Sequence, residues 1–311
     1  MATLITGGTG FLGSYVARHL LAHDEGPIVL FDTTINTENI ADLQGKVTVV
    51  EGDQAQAVEL FDVVKRCNVQ RIVHLGYAIF ALNGAPDRGM EVNINGTNNV
   101  FQIARIMGIR VVWASSGAAY GYHPVIPASA EPLDETAACR PISLYGKCKL
   151  FNEMVAEDYA NRLGLDHIGL RLTSIYGVGR SGRLQTAGDF YCLLVERAFQ
   201  GRDYEAPPAD QMFNWTYVED VARVFRVALN APKPRVRIFN VSGDARTAGE
   251  SADHVRNTLV PGAKITFGTH PVRRIPILSN ALIRAELGWA PTYTMEQGMQ
   301  EYLARLRATT G

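Results

Sequence analysis

The stretch Thr6-Gly7-Gly8-Thr9-Gly10-Phe11-Leu12-Gly13 decides how the rest of the chain is read. It follows an apolar, β-branched run from Thr3 to Thr6 and opens into a segment of helical period. Gly7, Gly10 and Gly13 recur at three-residue spacing. Without a Cβ, they permit a tight turn, the approach of a pyrophosphate and close packing of helix on strand. Phosphate oxygens would then meet the free N–H groups at the helix N-terminus. With 29 glycines in 311 residues some clustering is inevitable, so the strand before and the helix after carry the reading. A second apolar run, Ile28 to Phe31, ends at Asp32, nineteen positions past Gly13. A carboxylate there accepts from ribose hydroxyls and repels a 2′-phosphate, and Thr33, Thr34, Ile35 and Asn36 supply no Arg to hold one. NAD rather than NADP is the expected cofactor. Asp53, after a third run, reads both as an adenine contact and as an N-cap for the segment beginning at Gln54.

Outward from that loop, short apolar runs alternate with helical stretches at the spacing of βαβ units. Strands are expected at Val47 to Val50, Arg71 to His74, Arg110 to Ala114 and His167 to Leu172. Val100, Ile103, Ala104 and Met107 follow the i, i+3, i+4, i+7 stripe of a helix lying on a sheet. Continuous rather than alternating hydrophobicity in the strands implies cover on both faces, hence an α/β fold with a Rossmann-type, doubly wound parallel sheet. After about residue 175 the alternation gives way to segments punctuated by Gly and Pro, such as Ala206-Pro207-Pro208. The expected organisation is a dinucleotide-binding domain over 1–175, rejoined by 213–242, and a smaller substrate-binding lobe from 176–212 and 243–311. The strand-like run Val236 to Asn240 is expected to return to the main sheet.

A net charge of −1 gives no basic field for nucleic acid and no polybasic membrane anchor. No apolar run reaches transmembrane length, and Met1 to Ile5 carry no cationic leader, so a cytoplasmic protein is expected. Cys67, Cys139, Cys148 and Cys192 form no C-x-x-C pair, and His19 and His23 near a helix end suit its dipole. No metal is expected.

A second constellation is Ser115-Ser116 after the fifth strand, with Tyr145 and Lys149 on a helix. Four-residue spacing puts the phenol and the ammonium on one face, where the cation favours the phenolate. Twelve Tyr and six Lys in 311 residues give about 0.2 chance pairs at this spacing, so position, not the pair alone, makes the signal. Bringing a phenol from about 10 to near 7 takes roughly 4 kcal/mol. A Lys at 4 Å supplies about 1 kcal/mol in water and about 4 kcal/mol at a protein-like dielectric, so the pair must be shielded. Tyr77, Ile79 and Phe80 after the fourth strand, and Tyr122 and His123 after Tyr120-Gly121, should face the same carboxyl edge and line a compact substrate.

These residues together resemble the extended short-chain dehydrogenase/reductases, also called the NAD-dependent epimerase/dehydratase family. The likeness runs from the Gly loop through Gly52-Asp53, His74-Leu75, Asn93-Ile94-Asn95-Gly96-Thr97, Ser115-Ser116, Pro141 to Lys149, Tyr176-Gly177 and Tyr217 to Asp220, ending at Leu287 to Pro291. It implies that Tyr145 is the acid/base, that Ser116 hydrogen-bonds the reacting oxygen, and that Lys149 binds the nicotinamide ribose while tuning Tyr145. Gly7, Gly10, Phe11, Leu12, Gly13, Asp32, Asp53, Leu75, Gly76 and Asn93 would line the cofactor. It also implies a homodimer paired through the helix around Asn93 to Met107 and the helix bearing Tyr145.

Departures from the family pattern narrow the reaction. Gly117-Ala118 stand where dehydratases carry an Asp-Glu pair, which removes the acid and base for loss of water. Ser174 stands where nucleotide-sugar members carry Asn, and Phe213-Asn214 where they carry Arg-Asp, which removes a bidentate diphosphate ligand. Arg180, Arg183, Arg273 and Arg274 remain available to grip a carboxylate or phosphate. Tyr77, Ser116, His123, Ser174, Arg180 and Phe213 are the candidate substrate contacts. The reading that follows is NAD-dependent hydride transfer at a small secondary alcohol or carbonyl, of free-sugar, sugar-acid or hydroxy-acid type. A nucleotide-sugar 4-epimerase with retained NAD is the first alternative. A non-enzymatic NAD sensor is the second, and the complete Ser116, Tyr145 and Lys149 set argues against it.

Overall fold

A computed structural model describes residues 1–79, 81–122, 131–180 and 189–310. Seven parallel strands form the central sheet: β1 (Ala2–Thr6), β2 (Ile28–Asp32), β3 (Thr48–Glu51), β4 (Val69–His74), β5 (Arg110–Ser116), β6 (His167–Leu172) and β10 (Ile238–Val241). Their order is β10-β6-β5-β4-β1-β2-β3, so the direction of winding reverses between β1 and β4. Side chains alternate across each strand, and in the inner strands both sets are largely apolar, while the edge strand β3 is mostly exposed. Ile5, Leu30, Val73 and Val112 enter one core, while Leu4, Val29, Ile72 and Val111 enter the other. Helices α1 (Phe11–Leu21) and α8 (Val218–Asn230) pack on the first face; α2 (Ala57–Arg66), α5 (Thr97–Met107) and α6 (Leu144–Leu163) cover the second. The doubly wound parallel sheet is therefore the one that unbroken strand hydrophobicity requires.

The chain between β4 and α5 is less regular. It makes two short helices, α3 (Ala81–Gly84) and α4 (Pro86–Met90), and then a π-helical turn over Glu91–Gly96 that runs straight into α5. Asn93 sits inside that turn, where the wider winding departs from the 3.6-residue period.

A second group of elements stands on the carboxyl edge. Strands β7 (Ile175–Tyr176), β9 (Met212–Tyr217) and β11 (Asp244–Thr247) form a three-stranded sheet; β8 (Tyr204–Ala206) pairs with β12 (Ile265–Phe267). Thus β10 joins the main sheet while β9, only twenty residues earlier, belongs to the smaller one. Helices α7 (Phe190–Phe199), α9 (Ala248–His254), α10 (Ala281–Leu287) and α11 (Met295–Thr310) complete the chain. An aromatic cluster of Tyr176, Phe190, Tyr191, Phe213, Trp215 and Tyr217 fills the space between α7 and β9. No helix among the described residues is long and apolar enough to cross a membrane.

Candidate active site

The turn between β1 and α1 is built around missing side chains. Gly7 has φ +63°, and a Cβ placed on it would lie 2.8 Å from the Gly76 nitrogen; one on Gly13 would lie 2.3 Å from the Gly7 oxygen. Strand β4 and helix α1 can approach the turn only because these positions are bare. The result is a cleft of about 350 Å³ along the winding reversal, with Gly7, Gly10, Phe11, Leu12 and Gly13 on one side and Leu75, Gly76 and Tyr77 on the other. Asp32 closes one end. Its Oδ2 accepts from the Thr9 N–H (3.1 Å) and hydroxyl (2.9 Å), and its Oδ1 from the Thr33 N–H (3.0 Å). A carboxylate so held is fixed in direction and still lines the cleft, as a ribose acceptor must. The cradle and its acidic end fit an NAD dinucleotide. Asp53 caps the turn before α2, accepting the Ala55 N–H at 2.8 Å, and pairs with Arg88.

His74, at the end of β4, joins the two walls. The Thr97 hydroxyl donates to the Asn93 carbonyl (2.8 Å), so it must accept from His74 Nε2–H (3.0 Å); Nδ1 then accepts from Thr6 Oγ1–H (2.7 Å). Thr6 in turn accepts the Leu75 and Gly76 N–H groups, at 3.2 and 3.1 Å. Burial beside Lys149 pushes the imidazole down to about 3, so it is neutral. Asn93 holds the next loop, accepting the Ala78 N–H at 2.7 Å and donating to the Ala78 carbonyl at 3.3 Å.

Tyr145 and Lys149 lie on the first turns of α6, which starts at Ser143, whose hydroxyl accepts the Gly146 N–H at 3.1 Å. The helix is pinned from beneath. Buried Glu153 takes Arg171 of β6 through both oxygens (2.9 and 2.7 Å) and the Ser115 hydroxyl (2.5 Å), while Arg171 also donates to Tyr120 Oη at 2.6 Å. Ser116 Oγ accepts the Ala118 N–H (3.1 Å), which leaves its own hydrogen for Tyr145. Loss of water around the phenol pushes Tyr145 up to about 12, against the pull of the Ser116 hydrogen bond. Lys149 is 5% exposed, and burial brings its ammonium down to about 7. Its Nζ donates to the Ala114 carbonyl at 2.6 Å and stands 5.7 Å from the Tyr145 ring centroid and 3.6 Å from that of Tyr77. The protein alone therefore keeps the phenol protonated, because desolvation outweighs a lysine at that range. Tyr77 meets Tyr145 edge-on, with centroids 5.3 Å apart, rather than standing free in the cleft.

Beyond Tyr145 lies a cationic corner. Arg274 is only 4% exposed, its guanidinium rests 5.2 Å from the Phe213 ring centroid, and none of its three nitrogens has a hydrogen-bond partner among the described residues. Burial lowers it to about 10. Arg180 likewise has a buried Nε without a partner among the described residues, and its charge acts on both Tyr145 and Tyr191. Ser174 donates to the Tyr191 phenol, which burial raises to about 12. Ser174, Arg180 and Phe213 are thus brought to one corner beside Tyr145. His123, Phe80 and Arg183 lie outside the described residues.

Two cleft residues had no distinct sequence signal. Gln54 donates to the Gly76 and Val92 carbonyls, both at 3.1 Å, and fixes the floor; Arg88 reaches the cleft from α4, where no periodic pattern marks it.

Residues 3–242 match the NAD dependent epimerase/dehydratase family. UDP-glucuronate 4-epimerase 1 of Arabidopsis thaliana is 28% identical over 97% of this chain and 76% of its own length. UDP-glucose 4-epimerase of Corynebacterium glutamicum is 27% identical over 94% of this chain and 92% of its own length. A solved GalE-like L-threonine dehydrogenase from Cupriavidus necator superposes with a TM-score of 0.86 at 23% identity, covering 98% of this chain and all of that one, and shares the fold. With a family match spanning most of the sequence and a cleft shaped for its dinucleotide, the chain belongs to the NAD-dependent epimerase/dehydratase family, and NAD is its cofactor.

Proposed function

We propose that the chain is an NAD-dependent dehydrogenase of a small secondary alcohol that carries an anionic group, with Tyr145 as acid/base. Ser116 and Tyr145 hold the substrate oxygen between two hydroxyls. In oxidation Tyr145 takes the carbinol proton; in reduction it returns that proton to the carbonyl oxygen. Lys149 orders the cofactor side and opposes the cost of a phenolate. NAD, bound along the cleft by the Gly loop and Asp32, supplies the hydride acceptor and a positive ring that favours release of the phenol proton.

The observation that carries the substrate class is Arg274. A buried guanidinium with no hydrogen-bond partner among the described residues costs several kcal/mol unless a ligand satisfies it, and a carboxylate beside Phe213 and Arg180 would do so. This favours a sugar acid or hydroxy acid over a neutral sugar; threonine, named for the superposed dehydrogenase, has both a secondary alcohol and a carboxylate. Gly117 supports a dehydrogenase over a dehydratase: a Cβ there would come within 2.5 Å of Ile275, so a carboxylate side chain has no room. The second reading is a nucleotide-sugar 4-epimerase, favoured by the curated relatives, with Arg274 on a diphosphate.

Incubating the protein with NAD and a panel of hydroxy acids, sugar acids, free sugars and nucleotide sugars separates the two. Accumulation of NADH in step with a consumed hydroxy or sugar acid is the expected result. Interconversion of nucleotide sugars without net NADH would establish the epimerase. We further propose a cytoplasmic homodimer without nucleic-acid or membrane partners. Supporting it are exposed apolar side chains on the two helices at issue, Ile106 on α5 and Phe151 and Met154 on α6, and four cysteines with no disulfide.

A further inference from the structure

We propose that Tyr77 is a positioning residue of the site: its ring face holds the Lys149 ammonium as a cation at the place where it serves Tyr145. The contact is close. Nζ stands 3.6 Å from the ring centroid, well inside the roughly 6 Å within which a cation is attracted to an aromatic face, and it is desolvated. The same ring meets Tyr145 edge-on at 5.3 Å, with planes 82° apart, so one side chain touches both members of the proton-handling pair.

The other groups around the amine leave this task to the ring. An ammonium has three donors, and Ala114 O takes one of those on Lys149. From β4 it faces His74, which is neutral and bonded to Thr6 and Thr97 through both nitrogens. On its own helix it feels the Cys148 thiol and Glu153, but Glu153 is already bound to Arg171 and Ser115. The Tyr77 phenol lies against the Cys148 thiol, and the next residue, Ala78, is held on both its N–H and C=O by Asn93, so the ring cannot easily swing away. Burial, opposed in part by Cys148 and Glu153, brings Lys149 down to about 7, so the ammonium is held weakly by the rest of its surroundings. An aromatic face offsets that by favouring the protonated form. The catalytic consequence rests on the function proposed above; the contact itself does not.

The test is a lysine titration in cofactor-free protein, followed by NMR of isotope-labelled lysine side chains. The chain has six lysines, so the Lys149 signal is assignable by its loss in Lys149→Met. Tyr77→Phe keeps the ring and should keep the midpoint within a few tenths of a unit. Tyr77→Leu should lower it by about one unit. Phenylalanines bearing successive ring fluorines at position 77 keep the shape while weakening the face, and should lower the midpoint stepwise even if the Leu variant fails to fold. In turnover, the alkaline limb of kcat should move to lower pH in the same order. A midpoint that ignores fluorination, or that shifts as much in Tyr77→Phe as in Tyr77→Leu, overturns the proposal. The stepwise shift in a protein that oxidises none of the panel would leave the contact standing and overturn the dehydrogenase reading instead.

Discussion

His74 shows how much a single side chain can report. It is 3% exposed, locked as the Nε2–H tautomer between two threonine hydroxyls, and held down to about 3 by burial and by Lys149. The unfolded chain takes up a proton near 6.5, the folded one only near 3, so the unfolded state binds more protons in between. Stability from this site is complete above pH 6.5 and is lost as pH falls towards 3. Denaturant midpoints measured across that window should decline on acidification, with a shallower slope in His74→Gln. The catalytic pair makes a different prediction. Tyr145→Phe deletes the proton carrier but keeps the ring, so turnover should vanish while NAD affinity, followed by calorimetry, falls by no more than the roughly 1 kcal/mol of one hydrogen bond. Lys149→Ala should damage both binding and turnover. At this scale the sequence was informative where chemistry is local. Tyr145 and Lys149 are four residues apart and share a helix face. The effect of burial on them was not legible, since the walls that exclude water come from Tyr77, His74 and Ala114, far away in the chain.

Helix α6 is the element that sets the site, and its anchor is ionic. Glu153 and Arg171 are 5% and 8% exposed at the side chain, so neither charge has water to fall back on. Arg171→Met should leave an unpaired buried carboxylate and cost about 3–5 kcal/mol, seen as a large drop in Tm. Arg171→Met with Glu153→Leu should recover most of it. The double variant should nevertheless be less active than its Tm suggests if the pair also fixes the angle at which α6 presents Tyr145. The central strands and the helices between them were readable because they bury apolar residues at regular period. The π-helical turn over Glu91–Gly96 was not, because its winding breaks the period on which such reading depends. Strands β7, β8, β11 and β12, of two to four residues, are too short for any alternation to show.

At the scale of the whole molecule, the outer faces of α5 and α6 leave Ile106, Phe151 and Met154 in water, at 65%, 49% and 65% exposure. Small-angle scattering should give the mass of a two-fold dimer, and Phe151→Glu with Met154→Glu should give a monomer that keeps its fold. The cofactor cleft was legible in its Gly loop, which lines one side, and in Asp32, which closes one end, but not in Gln54 and Arg88. The cationic corner was legible only as a set of spare arginines; that Arg274 ends up enclosed against Phe213, with no carboxylate partner among the described residues, follows from the packing of β9 and the chain after β12. That enclosed charge has a practical consequence. Because little water screens it, sulfate or phosphate from a buffer should settle on Arg274 and compete with the substrate. Assays in such buffers would then report an enzyme weaker than it is, with KM rising linearly with the concentration of the anion while kcat stays constant.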